Sequence, residues 1–228
     1  MASFSVASPK NPNGLAPKTV RSILAQLPLS EKLAVAFAGR LGPRISKAFG
    51  LKWQDLNLTD GIVSFRRGFV QGRITPLKTE ASRTNLPLPE DVMELLRQWH
   101  FVTPFGRTDD WVFASPYTKG RRPFWPSQLF KTHIKPVALA AGLPNIGWHS
   151  FRHTVSAWGK EAGLELEDVK TLLRHEDIAT TSNVYGDVRM DAKRRIQQRL
   201  VDFVRDQAST EEAARRESTW KQAPATLQ

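Results

Sequence analysis

The chain of 228 residues contains no cysteine. This absence excludes disulfide-stabilised scaffolds, thiolate zinc sites and enzymes with a cysteine nucleophile, and it fits a cytoplasmic location. No apolar run approaches the roughly 18 residues that a membrane span needs. Residues 1–16 mix Ser, Pro, Asn and Gly without the apolar segment of a signal peptide, so they are predicted to form a flexible leader. We therefore expect no association with a membrane.

Acidic residues are scarce relative to basic ones. The sequence has 22 Asp and Glu against 33 Lys and Arg, which gives a net charge of +11 and an isoelectric point near 10.3. An excess of this size favours a polyanionic partner, with nucleic acid ahead of an anionic lipid surface.

Length and composition predict one domain with short extensions. Hydrophobic residues make up 40% of the chain, which suffices for a buried core. The predicted domain covers residues 17–207, and residues 208–228 are polar enough to be expected as a mobile tail.

Apolar periodicity predicts a mainly α-helical α+β fold with a small three-stranded antiparallel sheet. Two helices precede Gly42, the second capped by Ser30, and a third is predicted to start at Pro43. The three predicted strands lie at residues 62–65, 73–77 and 84–88. The remaining predicted helices begin at about residues 89, 127 (with a kink at Pro136), 150 (capped by Ser150), 165, 177 and 190.

The chemistry that these residues allow is attack on a phosphodiester. Two arginines neutralise the non-bridging oxygens of a phosphate without a metal, and Arg44 and Arg152 are candidates. The nucleophile must come from few residues, since only Tyr117 and Tyr185 are tyrosines. In isolation, Tyr117 is expected to be a half-buried anchor whose hydroxyl is hydrogen-bonded.

Five segments together resemble the catalytic domain of the tyrosine recombinases, the family of phage integrases and of the Xer and Cre enzymes. The resemblance runs from about Ala16 to Phe203. Its segments are Gly42-Pro43-Arg44-Ile45-Ser46 followed by residues 51–56, Lys78 to Arg83 followed by Leu86-Pro87-Leu88, His149 to Thr154, Leu172 to His175, and Thr180 to Tyr185.

The resemblance implies a reaction without metal or cofactor. Tyr185 would attack the scissile phosphate of double-stranded DNA and form a 3′-phosphotyrosyl link. Arg44, Arg152 and His175 would hold the negative charge, and Lys78 would protonate the leaving 5′ oxygen. His149 would take the proton of the nucleophile, since imidazole is the side chain that titrates near neutral pH.

Further basic residues are predicted to follow the DNA backbone, which would make binding strongly dependent on salt. The last helix carries an apolar stripe of Ile196, Leu200, Phe203 and Val204. This stripe packs either in its own domain or, as the resemblance suggests, on a neighbouring copy on nucleoid DNA. The predicted DNA-binding residues are Arg66, Arg67, Arg73, Arg83, Lys119, Arg121 and Arg122.

Several alternatives remain open from the sequence. His149 and His153 have the spacing of helical metal ligands, but no Glu lies between them in the metalloprotease pattern, so a metal site is not predicted. Lys47 occupies a position where the family usually has an acidic residue, which keeps a DNA-binding module without catalysis under consideration. A topoisomerase-like enzyme would use the same tyrosine chemistry. Because 43 residues precede Arg44, the family's N-terminal DNA-binding domain is expected to be absent.

Overall fold

A computed structural model describes residues 14–77, 85–173 and 186–221. These residues form a mainly helical α+β domain, which is the fold class that the sequence predicted. The domain contains two small antiparallel sheets. The helices are α1 (Pro17–Gln26), α2 (Leu29–Arg40), α3 (Ile45–Phe49), α4 (Glu90–Val102), α5 (Pro126–Leu129), α6 (Lys135–Ala140), α7 (Trp148–Glu161), α8 (Leu166–Leu173) and α9 (Gly186–Lys221).

The centre of the core is helix α2, which is buried along most of its length from Leu33 to Gly39. It packs against α4 on one side and α7 on another, so its apolar residues are not confined to one stripe. The prediction that Ser30 caps this helix is wrong, because the N-cap is Pro28. The hydroxyl of Ser30 instead donates to the carboxylate of Glu31 at 2.5 Å.

The strands divide into two sheets where one was predicted. Strands β1 (Leu56–Asn57), β2 (Ile62–Ser64) and β5 (Asn85–Pro87) form a three-stranded sheet in the order β1-β2-β5. Strands β3 (Arg67–Val70) and β4 (Arg73–Pro76) pair separately as a hairpin. The segment from Arg73 therefore pairs with a strand that the sequence did not predict, because the short run Arg67–Val70 begins with an arginine and a glycine and lacks clear apolar alternation.

The helical region from Pro126 to Ala140 is irregular at its centre. Residues Phe130–Ile134 form a π-helical turn between α5 and α6. Pro136 follows two residues later and has no backbone N–H to donate, which disfavours a regular α-helical ladder there. A kink was predicted at Pro136, and the structure shows a π-helical turn that ends two residues before this proline.

The C-terminal helix α9 is longer than predicted. It continues through the polar residues after Ala208 to Lys221, where a mobile tail was expected. Ile196, Leu200 and Val204 are buried against the rest of the chain, and α9 contacts β5, α1, α7 and α8. Of the two alternatives for the apolar stripe, the structure therefore shows packing within the same chain.

The end of the predicted leader is also ordered. The amide of Leu15 donates to Oγ1 of Thr154 at 3.0 Å, and the carbonyl of Leu15 accepts from Nε1 of Trp158 at 2.9 Å. These bonds attach residues 14–16 to α7, so the domain begins earlier than Pro17. Among residues 14–77, 85–173 and 186–221, every helix is too short or too polar to cross a bilayer.

Candidate functional site: an arginine pair at the start of helix α7

Helix α7 carries the central motif, and its first turn is held in place by a tryptophan. The N-cap is Gly147, whose amide donates to Oγ of Ser150 at 3.0 Å. Ser150 was predicted to be the cap itself but lies three residues inside the helix. Trp148 donates from Nε1 to the carbonyl of Pro126 at 2.8 Å and packs its ring against Phe49. The start of α7 is thereby fixed to both α5 and α3.

Arg152 is anchored by backbone carbonyls of two other segments. Its guanidinium donates to the carbonyl of Gly42 and, over 2.6 Å, to the carbonyl of Leu173. Neither acceptor carries a full charge, so neither cancels the charge of the arginine. The group is therefore oriented by neutral partners, and its remaining N–H donors can face an anion.

Arg44 lies close enough to Arg152 for the two charges to interact. Burial, together with the positive charge of Arg44, lowers the pKa of Arg152 to about 10. Arg152 still carries its proton at neutral pH, so the positive charges of Arg44 and Arg152 lie near each other. Arg44 is exposed and is the N-cap residue of α3, two residues after Gly42. An anion bound between the two guanidinium groups would relieve their repulsion.

The two histidines of the motif lie on the exposed side of α7. Phe151, Thr154, Val155 and Trp158 form the buried side. The rings of His149 and His153 are 5.4 Å apart between centroids and meet edge to face. His149 precedes Arg152 by three residues and therefore lies on the neighbouring turn of the same helical face.

The hairpin β3-β4 packs tightly against α3, the helix that begins after Arg44. A Cβ at Gly50 would lie 2.7 Å from the carbonyl oxygen of Arg67, which is closer than side-chain carbons are found. The guanidinium of Arg67 points inward to the fully buried carboxylate of Asp55, with Nη1 and Oδ2 2.5 Å apart. Arg67 is therefore engaged inside the protein, and this inward orientation does not support the prediction that it contacts DNA.

The other predicted DNA-binding residues that the structure describes are exposed. Arg66 approaches Asp55 at 3.5 Å but keeps 65% of its side chain exposed. Arg73 lies at the start of β4, and three further cations, Lys119, Arg121 and Arg122, belong to one loop between Ser115 and Pro123. The sequence predicted these residues from charge alone, and their exposure is compatible with that role.

Four predicted site residues lie outside the described residues. They are Lys78, Arg83, His175 and Tyr185. The helix predicted from Asp177 to Tyr185 also lies outside the described residues. The structure thus brings together Arg44 and Arg152, with His149 on the same face of α7.

A family model described as the phage integrase family matches residues 15–191. The chain belongs to the phage integrase family. The resemblance stated from the five sequence segments is therefore confirmed, and the match covers most of the described domain.

Relatives of this integrase-family chain include named recombinases. It is 23% identical over 175 residues to the tyrosine recombinase XerA of Pyrococcus furiosus, covering 75% of this chain and 56% of that protein. It is 29% identical over 174 residues to the tyrosine recombinase XerD of Yersinia pestis, covering 75% of this chain and 54% of that protein. The chain thus spans about half the length of these relatives.

Solved structures share the fold. The integrase from mycobacterium phage Brujita superposes with a TM-score of 0.58 at 20% identity, covering 87% of this chain and 65% of that one. The crystal structure of XerA recombinase gives a TM-score of 0.54 at 20% identity, with coverages of 83% and 65%.

Some residues that shape this integrase-family site were not predicted. The carbonyl oxygens of Gly42 and Leu173 orient Arg152, and Asp55 holds the hairpin through Arg67. A backbone acceptor leaves no signal in the sequence, because every residue has a carbonyl. Asp55 stands within the first resembling segment, yet nothing in its spacing identifies the arginine with which it pairs.

Proposed function

We propose that this chain is the catalytic domain of a site-specific DNA recombinase or integrase that cleaves and rejoins DNA. The observation that carries the proposal is that Arg44 lies near enough to the partly buried Arg152 for their positive charges to interact. Membership of the phage integrase family supports the same conclusion. A phosphodiester supplies the negative charge that such a pair favours, and no metal is needed for this step.

The proposed reaction assigns each step to a named group. The hydroxyl oxygen of Tyr185 forms a bond to phosphorus while the bond from phosphorus to the 5′ oxygen breaks. His149 takes the tyrosine proton, and Lys78 gives a proton to the leaving 5′ oxygen. Arg44, Arg152 and His175 stabilise the charge on the phosphoryl oxygens. A 5′ hydroxyl from a partner strand then attacks the phosphotyrosine, which rejoins the DNA and releases Tyr185.

The proposal includes double-stranded DNA of the nucleoid as substrate and assembly of several copies on it. Arg66, Arg73, Arg83, Lys119, Arg121 and Arg122 would contact phosphates. Because the apolar stripe of α9 is buried on its own chain, assembly through this helix would use the exposed residues after Val204 or require the helix to leave its position. Sedimentation with and without DNA measures this assembly.

A covalent adduct tests the proposed reaction. The protein is incubated with a pool of labelled, nicked duplexes of randomised sequence, in which loss of a short strand prevents rejoining. We expect a denaturant-resistant protein–DNA adduct that forms equally in EDTA and is abolished by Tyr185→Phe. Tyr117→Phe is the matched control, since it removes the other phenolic hydroxyl and should leave the adduct intact.

The same experiment separates the alternative functions. Binding to the duplexes without any adduct would favour a DNA-binding module and overturn the proposed catalysis. Adducts spread over the whole pool, together with relaxation of any supercoiled plasmid, would favour a topoisomerase-like enzyme. Recovery of a narrow set of sequences from the adduct would support a site-specific recombinase.

A further inference from the structure

The backbone of the loop from Ser115 to Arg122 is stabilised by hydrogen bonds within the loop. The amide of Ser115 donates to the carbonyl of Arg122 at 2.9 Å, and the amide of Gly120 donates to the carbonyl of Ser115 at 3.0 Å. Hydrogen bonds from Oγ1 of Thr118 to two carbonyls of the loop add to this frame. These hydrogen bonds brace the backbone from which Tyr117 and the basic side chains project.

Two left-handed residues shape the tip of this loop. Lys119 has φ of 52° and Gly120 has φ of 76°. A Cβ at Gly120 would lie 2.4 Å from the ring of Phe105, so only glycine allows the loop to rest on that ring. A non-glycine residue with positive φ is strained, and such strain persists where the surrounding structure holds it.

Tyr117 projects from this loop into solvent. It was expected to be a half-buried anchor, and this prediction is wrong, because 81% of the residue is exposed. Its ring touches Phe124 edge to face, with centroids 5.8 Å apart. One edge of the ring is thus supported by the protein, while most of its surface is open.

The cations around Tyr117 are also open. Lys119, Arg121 and Arg122 are exposed, and in the part of the chain that the structure describes no carboxylate lies within ion-pair distance of them. The Nε of Arg121 donates to the carbonyl of Thr118 at 3.1 Å, which directs its side chain along the loop. An aromatic ring among three uncompensated cations matches the combination of stacking and charge found in nucleic-acid-binding surfaces.

The neighbouring hairpin extends this surface. Trp125 is 48% exposed and packs edge to face on Phe69 of β3. Its ring fills the position that a Cβ at Gly72 would occupy, at 2.7 Å, so the tip of the hairpin lies directly on the tryptophan. Ile74, the cross-strand partner of Phe69, is 43% exposed. Apolar and aromatic surface rimmed by basic residues marks an interaction site.

We propose that Tyr117 packs its ring against a nucleobase of bound duplex DNA and favours DNA whose stacking is locally disturbed. The ring would replace a lost base–base contact, while Lys119, Arg121 and Arg122 hold the flanking phosphates. This inference rests on the proposed function, which supplies the bound DNA. It adds a contact whose strength depends on deformation of the duplex.

Two contributions to the affinity for DNA can be distinguished, one from the cations and one from the aromatic ring. Contacts of cations with phosphates release counterions, so removing one lowers the magnitude of the slope of log K against log salt by about 1. Stacking of an uncharged ring releases no counterions but responds to the cost of unstacking, which is smallest at a mismatched base pair. Replacing Tyr117 should therefore reduce the preference for mismatched DNA, whereas replacing Arg121 should reduce the salt dependence of binding.

Binding of two fluorescent duplexes of about 30 base pairs, long enough to cover the proposed contacts, tests the proposal. One duplex is fully paired, and the other has a central two-base mismatch. The wild-type chain should prefer the mismatched duplex. Tyr117→Ala should lose about 5- to 150-fold in affinity for it with an unchanged salt slope, and Tyr117→Phe should keep the affinity. Arg121→Gln should weaken binding to both duplexes and reduce the salt slope.

Phe101→Ala is the matched control, since Phe101 is 90% exposed on α4 and lies outside the basic loop. It should leave both affinities unchanged. Equal binding by wild type and Tyr117→Ala overturns the proposal, and so does an equal loss in Tyr117→Phe, which would assign the contact to the hydroxyl. Failure of the proposed function is recognised separately, as the absence of any Tyr185-dependent adduct, whatever the Tyr117 variants do.

Discussion

Arg67 directs its guanidinium into the protein, where Nη1 lies 2.5 Å from Oδ2 of Asp55. The carboxylate is completely buried and also accepts the amide of Lys52 at 2.9 Å. Arg67 bonds the carbonyl of Gly50 as well, at 3.3 Å. This pair connects the end of α3 to the hairpin β3-β4, so it holds together the two elements that follow Arg44.

Asp55→Asn is expected to destabilise the fold strongly. The substitution leaves Arg67 largely buried without its counter-charge, and removal of one partner of a buried pair costs about 3 kcal/mol. Unfolding in urea measures the loss. Arg66→Gln is the control, because Arg66 is mainly exposed and its ion pair should contribute less than about 1 kcal/mol. A loss for Asp55→Asn no larger than for the control would contradict this account.

Sulfate is expected to stabilise the free protein through Arg44 and Arg152. At about ten times its dissociation constant, an anion that binds only the folded state should raise the melting temperature by about 3 °C relative to chloride at equal ionic strength. Arg44→Gln should abolish most of this rise. Arg194→Gln, which removes an exposed arginine of α9, should retain it. An equal rise in both variants would mean that sulfate acts elsewhere.

Between about pH 6 and 9, titration of Arg152 is not expected to change the rise in melting temperature that sulfate produces. Its pKa in the folded protein is about 10, lowered first by burial and then by the positive charge of Arg44. The group is therefore protonated in both the folded and the unfolded chain at neutral pH. Only above about pH 10 does the folded chain lose this proton while the unfolded chain still holds it, so only there would this group make stability rise with pH. Thermal melts in sulfate across the neutral range check the expectation.

Gly42→Ala is expected to disturb the anchor of Arg152. Gly42 has φ of 62°, and an added Cβ would lie 2.4 Å from Cδ2 of the buried Leu173. Gly142→Ala shares the positive φ, at 77°, but meets nothing within 4 Å. Both variants carry a backbone cost of about 1 kcal/mol, and the larger loss in Gly42→Ala should report the displacement of Leu173. The sulfate-induced rise should also shrink in Gly42→Ala alone, and equal behaviour of the two variants would contradict the prediction.

Gln197→Met is expected to stabilise the domain. Gln197 is a buried residue of α9, and neither polar atom of its side chain has a hydrogen-bond partner among the residues that the structure describes. An unsatisfied buried amide costs about 1–3 kcal/mol, whereas methionine has a similar length and no such requirement. Gln198→Met, at an exposed position, should change the stability little. A decrease in the unfolding free energy of Gln197→Met would indicate that the amide has a partner in solution.

The sequence allowed the helices and the family to be predicted, because both depend on patterns local in the chain. Apolar residues at helical spacing predict α1, α4 and the first part of α9, and five short segments identify the family without any distance. The capping predictions at Ser30 and Ser150 were wrong, since a polar side chain near a helix start can bond to its neighbours in several ways. The long α9 was missed beyond Ala208, because its polar residues lack an apolar stripe.

By itself, the sequence determined the charge of the surface, the absence of thiol chemistry, the mainly helical fold and the candidate residues Arg44, His149 and Arg152. Tertiary structure alone decided which of these lie together and which way they point. Arg152 is oriented by carbonyls 110 and 21 residues away, Arg67 is turned inward by Asp55, and Tyr117 is turned outward. These outcomes depend on burial and on contacts between distant segments, which no local pattern in the chain encodes.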